Sequence, residues 1–255
     1  MNIWRFWGKT HGAGALSARI THPLLCHMID VAEVTGALWD ACFGTTWHRE
    51  LAERLGISEE GCRAVLMFWA GLHDLGKASP AFQRRFEPAI SWLQAEGLGF
   101  PLQIGQEPCY HGTLSTWALI PLFGDLGGLG AREARGVALA VGGHHGSWPP
   151  ANSLRGLGAS QAGGQAWQQA RQQLYEALCE HYRPPTPSHL GIDREERQAF
   201  LTWLSGLVSV ADWIGSMTEY FAPHPEVDAL PPYAQHARLR AACALRIPHT
   251  RGGEP

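Results

Sequence analysis

Apolar residues recur three and four positions apart along almost the whole of this chain, a period that belongs to helices and not to strands. From Leu25 to Phe43 the recurrence runs through Met28, Val31, Ala32, Leu38 and Cys42. Ser58, followed by Glu59, Glu60 and Gly61, supplies capping chemistry for another helix, and Val65 to Leu72 is apolar all round, as a central buried helix is. Further helices are expected at about 111–122, 131–143, 162–182 and 194–220, with an alanine- and arginine-rich one at about 232–246. Strand signals are almost absent, and a run such as Phe100 to Ile104 is too isolated to build a sheet. The expected fold is all-α.

Two stretches read as loops, Glu87 to Cys109 and Gly146 to Gly164, the second rich in Gly, Ser and Pro. A third break, RPPTPSHLG at 183–191, separates two helices. None of these divides the core and no internal repeat is visible. A single globular domain is therefore expected over residues 1–225, with a C-terminal helix and a polar tail, HTRGGEP, at 226–255. The composition agrees: 255 residues, 45% hydrophobic and 17% charged, suit a globular chain and exclude a disordered one. Twenty basic against 23 acidic residues leave a net charge of -3, so no overall positive field draws in a polyanion. Only Lys9 and Lys77 are lysines. Apolar runs such as Ala64 to Leu72 fall far short of the roughly 18 residues a membrane span needs, and MNIWRFWGKT lacks the apolar core of a signal peptide. The six cysteines are scattered with no CxxC pair, which argues against a zinc ribbon or a disulfide framework. A reduced cytoplasmic enzyme with no membrane partner is the expectation.

Thirteen histidines make single positions uninformative, so their contexts must sort them. The sharpest context is GLHDLGK at 71–77, where His73 and Asp74 follow a fully apolar helix and precede a glycine. Adjacent helical residues point about 100° apart, so both approach one ion only near a helix end. The pair reads either as metal ligands or as a partly buried hydrogen-bonded cap, since burying it uncompensated costs several kcal/mol. Other ligand-type residues share the setting: His27 near the start of the first long helix, His144 and His145 after VALAVGG, and Asp212 inside LVSVADWIG. Each alone has a bland reading as a satisfied core or surface residue. Together they make at least three imidazoles and two carboxylates on helices able to converge.

That order, a His, then His-Asp, then a distant Asp in an apolar helix, resembles the HD superfamily of metal-dependent phosphohydrolases. More closely, it resembles the nuclease domain of the CRISPR-associated helicase–nuclease of type I systems. WGKT at 7–10, LLCHMIDVA and GLHDLGKASPAFQ are similar to that family's opening motifs, and CYHGTLS, GGHHG and SVADWIGS to its later ones, in the same order. The likeness covers roughly residues 4–220. It implies an HD-domain helical fold with His27, His73, Asp74 and Asp212 around one ion. Asp74 would bridge to a second ion held by His111, His144 and His145, and every one of these positions carries a ligand type. It further implies a nuclease of antiviral defence that cuts single-stranded DNA, with water activated by metal as nucleophile. The strand would come from a helicase domain or subunit working with the CRISPR RNA-guided surveillance complex. No helicase portion lies in this sequence, and 226–255 reads as a linker towards one, so the chain is a separately encoded nuclease or one domain of a longer protein. GKT at 8–10 is no phosphate loop, because Ile3 stands where the upstream glycine belongs.

Phosphodiester hydrolysis needs an activated water and neutralised phosphate charge, and one or two divalent ions supply both. Imidazole and carboxylate without thiolate suit Mn, Fe, Ni, Co or Zn, with Mg also admitted, and the resemblance favours Mn²⁺, Co²⁺ or Ni²⁺. Asp74 and Lys77 are the candidate catalytic residues. Lys77, four after His73, reads as a phosphate contact or leaving-group acid, or else as an exposed helix-terminal lysine. Ser216, one turn after Asp212, reads as a phosphate ligand or as a buried hydroxyl bonded to backbone. Arg84 and Arg85 are candidate strand contacts, and Trp148 a candidate base-stacking residue, whereas core packing is expected of Trp213. His11, His22, His48, His181, His189, His224, His236 and His249 lack the apolar helical context and receive no role. Two other functions fit the same residues. One is an HD phosphohydrolase of nucleotides or cyclic dinucleotides, the other a non-catalytic module with a vestigial site.

Overall fold

The structure, a computed structural model, describes every residue except 13–19, 102–109, 192, 225, 226, 228 and 246–255. The tail HTRGGEP and most of Phe100 to Ile104 therefore lie outside the described residues. Twelve helices are present among those described: α1 (Leu24–Cys42), α2 (Thr45–Leu55), α3 (Glu59–Gly71), α4 (Pro80–Gln83), α5 (Glu87–Ala95), α6 (His111–Pro121), α7 (Ala131–Gly142), α8 (Ala151–Arg155), α9 (Ala159–Ala162), α10 (Gln165–Tyr182), α11 (Arg194–Gly215) and α12 (Leu230–Leu245). A short antiparallel ribbon, β1 (Trp7–His11) with β2 (Ile20–Pro23), precedes them. The fold is all-α apart from that ribbon.

At the centre stands α1, buried on almost every side between α3, α11 and α12. No side chain caps its first turn; instead the Leu24 N–H donates to Phe6 O at 2.7 Å, which ties the helix start to the ribbon. Ser58 caps α3 as expected, its hydroxyl accepting from Gly61 N at 3.0 Å. After Gly71 the chain tightens into a turn, with a 3₁₀ segment at Leu75–Lys77. The buried Arg171 of α10 donates to Ala78 O and Ala162 O, both at 2.8 Å, and so pins the exit from that turn.

Several expectations are corrected. The ribbon was not legible as strands because its packing comes from far along the chain. Trp7 stacks on Phe82 with centroids 4.4 Å apart, and its N–H and C=O pair with the side-chain amide of Gln83 as they would with another strand. Within the stretch expected as a loop from Glu87, α5 forms with its proline in the first turn, where a missing N–H costs nothing. The Gly146–Gly164 loop contains α8 and α9, and α2 was not anticipated. The long helix stops at Gly215, short of residue 220. The C-terminal helix lies along α1, where Tyr233 donates to Asp30 Oδ1 at 2.9 Å and Arg238 to Glu33 Oε2 at 3.0 Å. Asp30 and Glu33 are both inaccessible to solvent, so α12, together with His22 on Asp30 Oδ2 and Tyr182 on Glu33 Oε1, satisfies charges that α1 buries. No described helix is long and apolar enough to cross a membrane.

Candidate metal centre

Helix ends build this site. His27 lies in the first turn of α1, His73 and Asp74 follow the last turn of α3, and His111 opens α6. His144 and His145 follow α7, and Asp212 sits in the last turn of α11. A side chain at a helix end projects beyond the cylinder, so five elements aim donors at one point without a clash of backbones. His73 and His144 are held in the same way. Each ring places Nδ1 on the carbonyl three residues earlier, Ala70 O at 2.9 Å and Val141 O at 3.0 Å. A carbonyl only accepts, so Nδ1 carries the proton and Nε2 turns to the centre as a donor of electrons. The Ser209 hydroxyl of α11 donates to His144 O and fixes the double-histidine turn.

Asp74 stands in the middle, 1% exposed. Its Oδ2 lies 3.2 Å from His27 Nε2 and 3.3 Å from His73 Nε2, while Asp212 Oδ1 lies 3.2 and 3.5 Å from the same two nitrogens. Its other oxygen, Oδ1, faces His111 Nε2 at 3.2 Å and His144 Nε2 at 3.7 Å, and His145 Nε2 is 2.9 Å from His111 Nε2. The donors therefore fall into two groups that share one carboxylate. His27 Nε2, His73 Nε2, His144 Nε2 and Asp74 Oδ1 are buried with no hydrogen-bond partner. Leaving such atoms unpaired costs about 1–3 kcal/mol each, and together these buried atoms fit divalent ions placed among them. Mixed nitrogen and oxygen donors without sulfur suit first-row transition ions. The side-chain exposures of His111 and Asp212, 18% and 14%, mark where the centre meets solvent.

His27, His111 and His144 are held in the neutral form that ligation needs. Burial pulls His27 down, His111 down to about 4 and His144 down to about 3. Burial also opposes charge on His73, but the Asp74 and Asp212 carboxylates outweigh it and hold the ring up at about 9. In the metal-free protein one proton thus sits on His73 between two carboxylates, where a cation would otherwise lie. Burial would raise Asp74, yet Lys77, His73 and His111 hold it well below the ordinary range; His27 and His73 do the same for Asp212. Lys77 is 8% exposed, 2.6 Å from Asp74 Oδ2, with its ammonium donating also to Gly8 O at 3.2 Å. The reading of Lys77 as an exposed helix-terminal lysine is overturned: the helix has already ended and the side chain points inward.

Ser216 places its hydroxyl on Asp212 Oδ1 at 3.0 Å and not on backbone. Arg84 is turned away, its guanidinium donating to Pro101 O at 2.6 Å. Arg85 is exposed over the Phe82 ring and, with Tyr110 and Trp148, lines a cleft of about 770 Å³ whose inner wall includes His111 and His145. Trp148 is half-buried, with Nε1 donating to Ser205 Oγ at 3.2 Å. Trp213 is not core but 68% exposed: one step of 100° beyond Asp212 carries it away from the centre. Residues missed by sequence reasoning include Lys9, whose ammonium bonds Ser216 Oγ, and Tyr110, 72% exposed at the cleft mouth. His22, given no role, is buried against Asp30 at 2.9 Å. Lys9 lay within the WGKT motif and was visible as one of two lysines; nothing local marked the other two.

Comparison with known proteins fits this geometry. A family profile described as Cas3, HD domain, matches residues 7–221. The CRISPR-associated endonuclease/helicase Cas3 of Thermus thermophilus is 34% identical over 218 residues, covering 81% of this chain and 22% of the relative. This chain therefore spans less than a quarter of that relative's length. The crystal structure of the Thermus thermophilus Cas3 HD domain in the presence of Ni²⁺ superposes with a TM-score of 0.70, at 28% identity, over 96% of this chain and 89% of the other. A chain of a CRISPR RNA-guided surveillance complex, pre-nicking, matches with a TM-score of 0.65 and 26% identity over 96% of this chain and 28% of its own length.

Proposed function

This chain belongs to the Cas3 HD-domain family, and from that premise we propose that it is a metal-dependent nuclease hydrolysing phosphodiester bonds of single-stranded DNA in type I CRISPR interference. The observation that carries the reading is the set of buried, unpartnered donors, His27 Nε2, His73 Nε2, His144 Nε2 and Asp74 Oδ1, gathered around one carboxylate. His27, His73, Asp74 and Asp212 would hold one divalent ion, and Asp74, His111, His144 and His145 a second, with Mn²⁺, Co²⁺ or Ni²⁺ preferred. Such ions supply an acidified water and neutralise the phosphate. The chain's own residues do the rest. Lys77 clamps Asp74 in the orientation that serves both groups, and its charge offsets a carboxylate whose burial would otherwise be costly. The carbonyls of Ala70 and Val141 fix which nitrogen of His73 and His144 faces inward. Arg85, Tyr110 and Trp148 in the cleft offer one cation and two rings, the elements that hold a backbone and stack bases without reading sequence. The relative of the same family named endonuclease/helicase and the similar chain in a surveillance complex support a helicase domain and an RNA-guided complex as partners.

Cleavage of a circular single-stranded DNA by chelator-stripped protein, with each divalent ion added back separately, tests this. Cutting that requires Mn²⁺, Co²⁺ or Ni²⁺ is expected, falling more than about 100-fold in Asp74→Ala, the upper end of what losing even an outer-sphere partner of a metal site costs. Hydrolysis of mononucleotides or cyclic dinucleotides without any cutting of strands would overturn the substrate, and full activity in Asp74→Ala would overturn the site.

A further inference from the structure

Both lysines of the chain lie at this one centre, each beside a different carboxylate. Lys77 contacts Asp74 directly, and Lys9 reaches Asp212 through Ser216, whose hydroxyl accepts from the Lys9 ammonium and lies 3.0 Å from Asp212 Oδ1. A particular piece of backbone delivers Lys9 there. The ribbon pairs Trp7 with Pro23 and Lys9 with His22, so its register slips by one residue at Gly8. A slip of one reverses the face to which following side chains point, and bulges of this kind re-aim side chains beside active sites. Trp7 consequently enters the core against Phe82 while Lys9 turns to Ser216, the residue that follows α11. Gly8 itself is pressed on the start of α1, where a Cβ would come within 2.9 Å of Leu24 Cα, and its carbonyl accepts from Lys77. One irregular step in the ribbon thus sets both cations.

The bonding of Lys9 is incomplete. An ammonium has three donors, and among the described residues Ser216 is its one hydrogen-bond partner. Lys9 is half-buried, and that burial lowers its basicity to about 8 against the opposing pull of Asp212. Once the His73 proton has given way to an ion, Lys9 and Lys77 balance Asp212 and Asp74 in charge. Divalent ions among these donors would therefore give a local excess of positive charge in a chain whose net charge is -3.

We propose that Lys9 is a substrate-facing residue of the centre: it holds the Ser216 hydroxyl on Asp212 and directs its remaining N–H donors to a non-bridging oxygen of the bound phosphate. This deepens the nuclease reading above and rests on it for the identity of the substrate, but its test does not need DNA to be cut.

The probe is inorganic phosphate titrated into the Mn²⁺-loaded full chain, with Mn²⁺ affinity and melting temperature measured on the same preparations. In Lys9→Met phosphate binding is expected to weaken about tenfold, the loss of one charge-assisted hydrogen bond, with Mn²⁺ affinity within about threefold of wild type on the same scale. Lys9→Arg should recover most of the binding. Ser216→Ala, which keeps the charge and removes its tether, should weaken phosphate by a smaller factor and keeps the idea testable if Lys9→Met does not fold. Unchanged phosphate affinity in both Lys9→Met and Ser216→Ala would overturn the proposal. So would a loss of phosphate binding that merely follows an equal loss of Mn²⁺. A wild-type protein that binds phosphate through Lys9 yet cuts no DNA would overturn the nuclease reading and leave this one standing.

Discussion

Replacing Gly142 by alanine should remove one ion from the centre and leave the other. The crossing of α6 and α7 is a contact of backbone on backbone: a Cβ on Gly142 would lie 2.6 Å from Gly112 O, 2.9 Å from Thr116 N and closer still to Thr116 Oγ1. The hydroxyl can rotate away at the expense of its bond to Ala138 O, but the two backbone atoms cannot. To reach 3.0 Å from Gly112 O the new carbon must retreat 0.4 Å, and 0.8 Å to reach ordinary contact at 3.4 Å. His111 rides on α6, His144 and His145 follow α7, and metal ligands tolerate displacements of only about 0.2 Å. The group containing His111 should therefore lose its ion, its affinity falling about 10–100-fold or more. His27, His73 and Asp212 belong to neither helix and should keep theirs. Overpacking should also cost about 1–3 kcal/mol of stability. Calorimetric Mn²⁺ titration of chelator-stripped protein reads the two events separately, and urea unfolding reads the cost. Gly206→Ala is the control, since nothing lies within 4 Å of a Cβ there and the exposed helix position should gain up to about 1 kcal/mol. Two ions bound by Gly142→Ala with wild-type affinities would refute the reasoning.

Lys77→Met should destabilise the metal-free protein by about 3–5 kcal/mol, because it strips a 2.6 Å partner from a buried carboxylate; urea unfolding with and without Mn²⁺ checks this, and equal losses in both states would count against it. Tyr233→Phe should cost about 1–3 kcal/mol by leaving Asp30 Oδ1 without its phenol, and hydrogen exchange should report the loss first in α12; a wild-type melt would show that water replaces the hydroxyl. The metal-free protein should be most stable near pH 6.5. Burial holds His144 and His111 at about 3 and 4, below their unfolded value, so the unfolded chain binds more protons and stability falls as pH drops from 6.5 towards 4. Burial also acts on His73, but its carboxylate neighbours hold it up at about 9, so the folded chain binds more protons and stability falls as pH rises from 6.5 towards 8; above that Lys9, lowered by burial to about 8, acts in the opposite sense. Urea midpoints at several pH values after chelation would show this maximum, and a monotonic profile would contradict it.

Apolar patterning, with the Ser58 cap for α3 and the alanine-rich composition of α12, was enough to locate α1, α3, α6, α7, α10, α11 and α12 within a few residues, because a helix satisfies its backbone internally and writes its buried face into a local repeat. Local context likewise picked out His27, His73, Asp74, His144, His145 and Asp212, since an ionisable group beside an apolar run is conspicuous however the chain folds; His111 entered through the family resemblance. What local pattern could not contain was set by partners distant in sequence. The ribbon exists because Gln83 completes its edge, Asp30 and Glu33 are tolerated because His22, Tyr182 and α12 come to them, and Lys9 meets Ser216 across 207 positions. Trp213 and Arg84 mislead for the same reason: hydrophobicity and charge state what a side chain prefers, not the direction in which its element presents it. Sequence determined where α1, α3, α6, α7, α10, α11 and α12 run and which residues are chemically out of place, but not α2, α5, α8 or α9. Only the tertiary structure decided that helix ends bring those residues to one buried carboxylate, because pairing the donors with one another is an energy term that no single segment holds.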